Sequence, residues 1–240
     1  MLTKFFHNYI SIVLFSLLKK KKIRNDGFLI RVSNDIFWSW ILYIIVSHYG
    51  DSSSTITLWD KVWLPLFIFQ FSAYLEVVHA VIGLVRSNSM IVLTQVSSRV
   101  FICVTLLSLP SDFFVSSVIL PFTFISWCIA EITKYSYYFM NRIGYIPYFL
   151  TWLRYSLFLV LYPCGISGEI LCIYKTIVYS KSNPELWSYV LPNQWNFTFS
   201  YLYLLTMVLI IYIPGSPILY KHMLSQRQKV LKMSNAEKIK

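Results

Sequence analysis

Apolar stretches of about 20 residues, long enough to cross the hydrocarbon core of a bilayer, recur along most of this 240-residue chain. Six spans are read, near residues 28–48, 62–85, 90–109, 113–140, 146–174 and 197–220. The first is the least regular, because "IRVSND" is polar and only "IFWSWILYIIV" is strongly apolar. Charged residues make up 13% of the chain, about half the share in an ordinary soluble domain. The expectation is an all-α integral membrane protein, a six-transmembrane helix bundle folded as one unit.

The chain is read as three regions. Residues 1–27 form a basic N-terminal arm, 28–223 the membrane domain and 224–240 a basic tail. In the arm, "FFHNYISIVLFSLL" precedes "KKKK". The charge follows the apolar part and no small-residue cleavage site appears, so the pattern points to an interfacial helix and not a signal sequence. Lys and Arg concentrate in the arm, at Arg86, at Arg142 and in the tail, whereas the intervening loops hold Asp51, Asp60, Asp112 and Glu185 against Lys61 and Lys181. That alternation predicts both termini on the cytoplasmic side. The net charge of +11 is then a topology signal with an attraction to anionic membrane lipid, and requires no nucleic acid.

Two smaller features bear on compartment. Cys103, Cys128, Cys164 and Cys172 all fall in apolar stretches, which suggests packing residues and neither a disulfide framework nor a metal site. The sequon "NFT" at Asn196 lies on the non-cytoplasmic side but abuts the membrane, where efficient glycosylation is not expected.

The informative residues are the ionisable ones inside the spans: Glu76, Arg99, Glu131, Lys134, Arg154 and Glu169, with His79 and Gln95 nearby. Charges at membrane depth are costly and face the bundle interior, where they are paired or functional. Structural ion pairs would account for Glu76, Arg99, Glu131 and Lys134. The fifth span is different, because "YPCGISGE" (residues 162–169) puts a proline, two glycines and a carboxylate at its middle. A backbone kink or local unwinding is expected there from Pro163, Gly165 and Gly168.

Several functions compete for this pattern. A transporter favours paired broken helices at matching positions of two halves, and only the fifth span has a convincing break, with a weaker one at "YIPGSP" late in the sixth. "HAVIGLVR" (residues 79–86) has the spacing of the tyrosine-phosphatase signature His-Cys-x-x-Gly-x-x-Arg, but Ala80 stands at the nucleophile position. Without a thiolate that chemistry is lost. An inert scaffold that binds other proteins is a further reading.

Four ordered blocks narrow the choice: "YLEVVHAVIGLVRSNSMIVLTQVSSRVF", "SWCIAEITKYSYY", "RYSLFLVLYPCGISGEILCIY" and "LPNQWNFTFSYLYLL". They closely resemble the 3-hydroxyacyl-CoA dehydratases of very-long-chain fatty acid elongation, also called protein tyrosine phosphatase-like proteins. The resemblance runs from about the first span to Met223. It implies a multi-pass enzyme of the endoplasmic reticulum membrane that removes water from a long-chain (3R)-3-hydroxyacyl-CoA to give the trans-2-enoyl-CoA. It also implies elongase, ketoacyl-CoA reductase and enoyl-CoA reductase as partners. The family's catalytic tyrosine and glutamate match Tyr162 and Glu169; its other functionally important positions match Glu76, Gln95, Arg99, Arg154 and Gly165. Lys134 stands where many relatives have arginine, and a compact ammonium cannot make the two-pronged contact of a guanidinium. Within such a family, the alternative is a catalytically silent scaffold binding elongation or signalling proteins.

The chemistry can also be argued from the residues alone. Dehydrating a 3-hydroxythioester needs a base for the C2 proton and an acid for the departing C3 hydroxyl, with no obligatory metal or organic cofactor. Two placed titratable side chains suffice. Positions seven apart on a helix share a face about 10 Å apart along the axis; long side chains angled toward each other, with the kink or local unwinding expected from Pro163, Gly165 and Gly168, could bring Tyr162 and Glu169 to one substrate. Which is acid and which base is left open by the sequence. Tyr162 could instead serve only as a hydrogen-bonding membrane tyrosine, Arg154 could hold another helix, and the glycines could only permit close helix approach. At the cytoplasmic mouth, Arg86, Arg142 and the tail are candidates for the CoA phosphates or simply solvated topology charge.

Overall fold

The computed structural model describes residues 23–50, 56–83, 88–114, 118–189, 191–192 and 194–238. Among them the chain forms eight α-helical segments and one short 3-10 turn, Ser111–Phe114. The segments are α1 (Ile23–Gly50), α2 (Leu58–Ser72), α3 (Tyr74–Val81), α4 (Ser89–Leu107), α5 (Ile119–Ile143), α6 (Tyr148–Ser156), α7 (Phe158–Ser182) and α8 (Tyr201–Lys238). α2 runs into α3 through Ala73 alone, and α6 into α7 through Leu157 alone, so eight segments make six rods.

Local chemistry sets the rod ends. The Thr57 hydroxyl accepts from the Asp60 amide at 3.2 Å and donates to the Asp60 carboxylate at 2.7 Å, closing the start of α2. Asn88 caps α4 by accepting from the Met90 amide at 3.1 Å, the usual role of Thr and Asn before a first turn. α5 ends at Gly144, whose φ of 86° a side chain would resist.

Among the described residues, four stretches are long and apolar enough to cross a membrane: Leu58–Val78, Ser89–Leu107, Tyr148–Ser182 and Tyr201–Leu231. α1 and α5, at 28 and 25 residues, have the length but not the composition. For α5 the reason is its position. It packs on α1, α7 and α6, and of its described side chains only Phe122, Asn141 and Ile143 are exposed. A rod enclosed by protein can carry Thr123, Ser126 and Glu131 buried along its length, because its partners and not lipid satisfy them. α8 is the opposite case, packed on α7 and α6 and otherwise open.

The main core gathers Phe37, Ile41 and Ile45 of α1, Val62, Leu66 and Phe69 of α2, Phe124 and Cys128 of α5, and Ile173 of α7. Cys103, Cys128 and Cys172 are buried in it as free thiols, and Cys164 is half-buried.

The rods overlap the six stretches expected as spans, four of which are long and apolar enough to cross a membrane, and the last two run further. The fifth continues to Ser182, and the sixth extends as helix through the basic tail to Lys238. The expected interfacial helix and Arg86 lie outside the described residues, as do the side chains of His79 and Arg142. One expectation is corrected. The backbone between Tyr162 and Glu169 is not unwound, since α7 is continuous helix from Phe158 to Ser182 with Pro163 inside it. The interruption falls earlier, at Leu157. Proline lacks the N–H that would bond the Leu159 carbonyl four residues earlier, yet α7 continues through it.

Candidate active site

The site is built where α5, α7 and α8 meet. α7 lies close against α5 at Gly168, where an added Cβ would stand 2.0 Å from Thr123 Oγ1 and 3.0 Å from Thr123 Cβ. Only glycine permits this spacing. One turn earlier Gly165 faces Trp127, where a Cβ would meet Cδ1 and Nε1 at 4.0 Å, an ordinary contact. The closeness of the two helices carries Glu169 onto α5, where Trp127 Nε1 donates to Glu169 Oε1 at 3.1 Å. From the other side the Tyr212 hydroxyl of α8 donates to Glu169 Oε2 at 2.9 Å. Glu169 is 6% exposed, and both of its oxygens are satisfied, as a buried carboxylate requires.

Tyr162 lies two turns before Glu169 on the same helix. Its hydroxyl donates to the Ser216 carbonyl at 3.0 Å, and its ring stacks on Tyr220 at 5.8 Å. α8 runs antiparallel to α7, so Tyr212 and Ser216, one turn apart, hold Glu169 and Tyr162 respectively. The Ser216 hydroxyl donates back to the Tyr212 carbonyl at 2.8 Å. The stretch "YIPGSP", noted in the sequence only as a helix break, is therefore the part of α8 that faces the site.

Glu76, Arg99, Glu131 and Lys134 form a second, connected group. Arg99 of α4 donates to Glu131 of α5 in a close ion pair. Lys134 pairs with Glu131 at 2.5 Å and with Glu76 of α3 at 3.6 Å, and the Tyr135 hydroxyl donates to Glu76. Two carboxylates and two cations balance, which is what makes charge tolerable at this depth. Lys134 is thus a point charge shared between two carboxylates, a task that does not need the planar fork of arginine. The two groups touch through Trp127, whose indole face lies 5.6 Å from the Arg99 guanidinium while its N–H serves Glu169.

Of the residues singled out from sequence, Tyr162, Gly165 and Glu169 come together on α7, and Glu76 and Arg99 join the charge group beside them. Arg154 sits on α6, before the Leu157 interruption, over the rings of Tyr138 and Tyr155 at 5.9 Å each. Among the described residues it makes no hydrogen bond or ion pair with Tyr162 or Glu169. Gln95, one turn before Arg99, is exposed on α4. Trp127, Tyr212 and Thr123 were not anticipated. "SWCIAE" and "YIPGSP" were both conspicuous, but nothing in a linear sequence tells which aromatic turns toward a carboxylate on another helix.

Three relatives are similar over most of their length. "Very-long-chain (3R)-3-hydroxyacyl-CoA dehydratase PASTICCINO 2" of Arabidopsis thaliana is 38% identical over 205 residues, covering 83% of this chain and 90% of the relative. PASTICCINO 2A of Oryza sativa subsp. japonica, of the same description, is 39% identical over 201 residues, covering 83% and 89%. "Very-long-chain (3R)-3-hydroxyacyl-CoA dehydratase 2" of Homo sapiens is 38% identical over 201 residues, covering 84% and 78%. No solved structure matches. The family model described as "Protein tyrosine phosphatase-like protein, PTPLA" matches residues 70–233, a span that holds every site residue named above. The chain belongs to the protein tyrosine phosphatase-like (PTPLA) family.

Proposed function

We propose that this protein is a very-long-chain (3R)-3-hydroxyacyl-CoA dehydratase, a hydro-lyase that forms the trans-2-enoyl-CoA. The observation that carries this reading is a buried carboxylate, Glu169, held by two donors two helical turns from the Tyr162 hydroxyl. The relatives similar to the chain over more than three quarters of their length bear that activity in their names.

The arrangement supports a division of roles. Glu169 accepts from Trp127 and Tyr212, so its carboxylate is the acceptor that a base must be. Tyr162 donates its proton to a carbonyl oxygen, so its hydroxyl is already oriented as a donor. In the proposed step Glu169 takes the C2 proton and the electron pair of that C–H bond forms the C2–C3 double bond. The C3–O bond breaks, and Tyr162 protonates the departing hydroxide to give water. A proton then passes from Glu169 to the Tyr162 oxygen through water and restores both groups. Each role is worth about 10²- to 10⁴-fold. Glu76, Arg99 and Arg154 would act as supporting charges, and Gln95, exposed on α4 one turn before Arg99, as a polar contact for substrate.

In the same reading the six rods cross the endoplasmic reticulum membrane with both termini cytoplasmic. The acyl chain lies within the bundle and the CoA group at the cytoplasmic mouth, where the helical tail adds Lys221, Arg227 and Lys229. Elongase and the two reductases of the cycle would be neighbours that supply its substrate and take its product. The experiment is direct: purified protein in lipid nanodiscs is incubated with long-chain (3R)-3-hydroxyacyl-CoA, and enoyl-CoA is measured by mass spectrometry. Product is expected; none at any chain length would favour the silent scaffold.

A further inference from the structure

We infer that Tyr212, together with Trp127, is a positioning residue that fixes the Glu169 carboxylate in the orientation the dehydration needs. The inference rests on the reading of Glu169 as the base, and deepens it.

The two donors differ in kind. An indole N–H can only donate, so Oε1, facing Trp127 at 3.1 Å, cannot carry a proton toward it. A phenol both donates and accepts. When Glu169 is ionised Tyr212 donates to Oε2, and when Glu169 is protonated the same hydroxyl can accept from it. Tyr212 therefore designates Oε2 as the oxygen that gains and loses the proton, and it stays partnered in both states. Such a partner is what a buried acid–base group requires, because an unpaired buried donor or acceptor is costly.

Both donors are themselves held. Trp127 is 3% exposed, lies against the Phe124 ring at 5.7 Å and the Arg99 guanidinium at 5.6 Å, and has Gly165 over its edge. Tyr212 comes from a different rod, on the helical turn whose Ser216 carbonyl receives Tyr162. A shift of α8 along α7 would thus misplace both groups together. A glutamate has three rotatable bonds, and loss of one anchor frees the carboxylate by more than the roughly 0.5 Å that a working site tolerates.

The test uses the full chain in nanodiscs. Tyr212→Phe keeps the ring and removes the hydroxyl; kcat is expected to fall about 10²-fold, as for a misplacement of about 1 Å, with KM changed less than threefold. In the infrared spectrum the Glu169 carboxylate band, identified by its loss in Glu169→Gln, is expected to move in Tyr212→Phe. Adding Tyr212→Phe to Glu169→Gln is expected to cost no further activity. A Tyr212→Phe enzyme with wild-type kcat and an unmoved band overturns the inference, as does a lowered melting temperature with both readouts unchanged. Failure of the underlying reading looks different: Glu169→Gln would itself retain turnover.

Discussion

Gly168 of α7 stands so close to Thr123 of α5 that a methyl group on it would lie 2.0 Å from the threonine oxygen. That contact sets the distance between the two helices that carry Glu169 and Trp127. Without it the indole N–H would not reach the carboxylate. Gly168→Ala is therefore expected to destabilise the protein by roughly 1–3 kcal/mol, the cost of overpacking. The melting temperature in detergent measures it. Thr123→Ala in the same chain removes the oxygen but leaves a Cβ 3.0 Å away, so it is expected to restore part of the loss.

Tyr162→Phe and Glu169→Gln are each expected to lower turnover at saturating substrate by about 10²- to 10⁴-fold. Both are close to isosteric, and folding, read by size-exclusion profile and melting temperature, should change little. Near wild-type turnover in either variant would show that the two-residue mechanism is wrong.

Glu131 receives both Arg99 and Lys134. Glu131→Gln leaves two cations competing for what remains and breaks a buried pair, a change that costs roughly 3–5 kcal/mol. A large fall in melting temperature is expected. Activity measured below that temperature should fall as well, because Arg99 also backs the Trp127 ring.

Asn196 is flanked by Trp195 and Phe197, exposed at 80% and 58%, in the connection between Ser182 and Tyr201 where two long apolar helices end. In the proposed topology these exposed aromatics would sit at the membrane interface and hold the sequon against the bilayer. The protein expressed in eukaryotic cells is expected to show no mobility shift on treatment with an N-glycosidase. A shift would place this connection well clear of the membrane.

Much of the architecture was legible in the linear chain, and the reason is the solvent. Apolar runs of bilayer length mark rods wherever they occur, so the positions of Ser89–Leu107 or Tyr201–Leu231 need no tertiary information. Glu169 was conspicuous for the same reason, as a carboxylate with no solvent to hold it. The rods that crossed expectation did so through packing. α5 carries its charges because other helices enclose it, and α7 stays continuous through Pro163.

By itself, then, the sequence determined the order of the rods, the charged residues inside them that had to find partners, and the placing of Tyr162 and Glu169 on one helix face. Only the tertiary structure decided which partners those were. Glu131 holds Arg99 and Lys134, while Glu169 is held by Trp127 and by Tyr212, 42 residues before it and 43 after it. A helix's hydrophobicity places it in the membrane whatever its rotation, but hydrogen bonds depend on rotation and register between helices. Those are set by contacts such as Gly168 on Thr123, which exist only once the rods have packed.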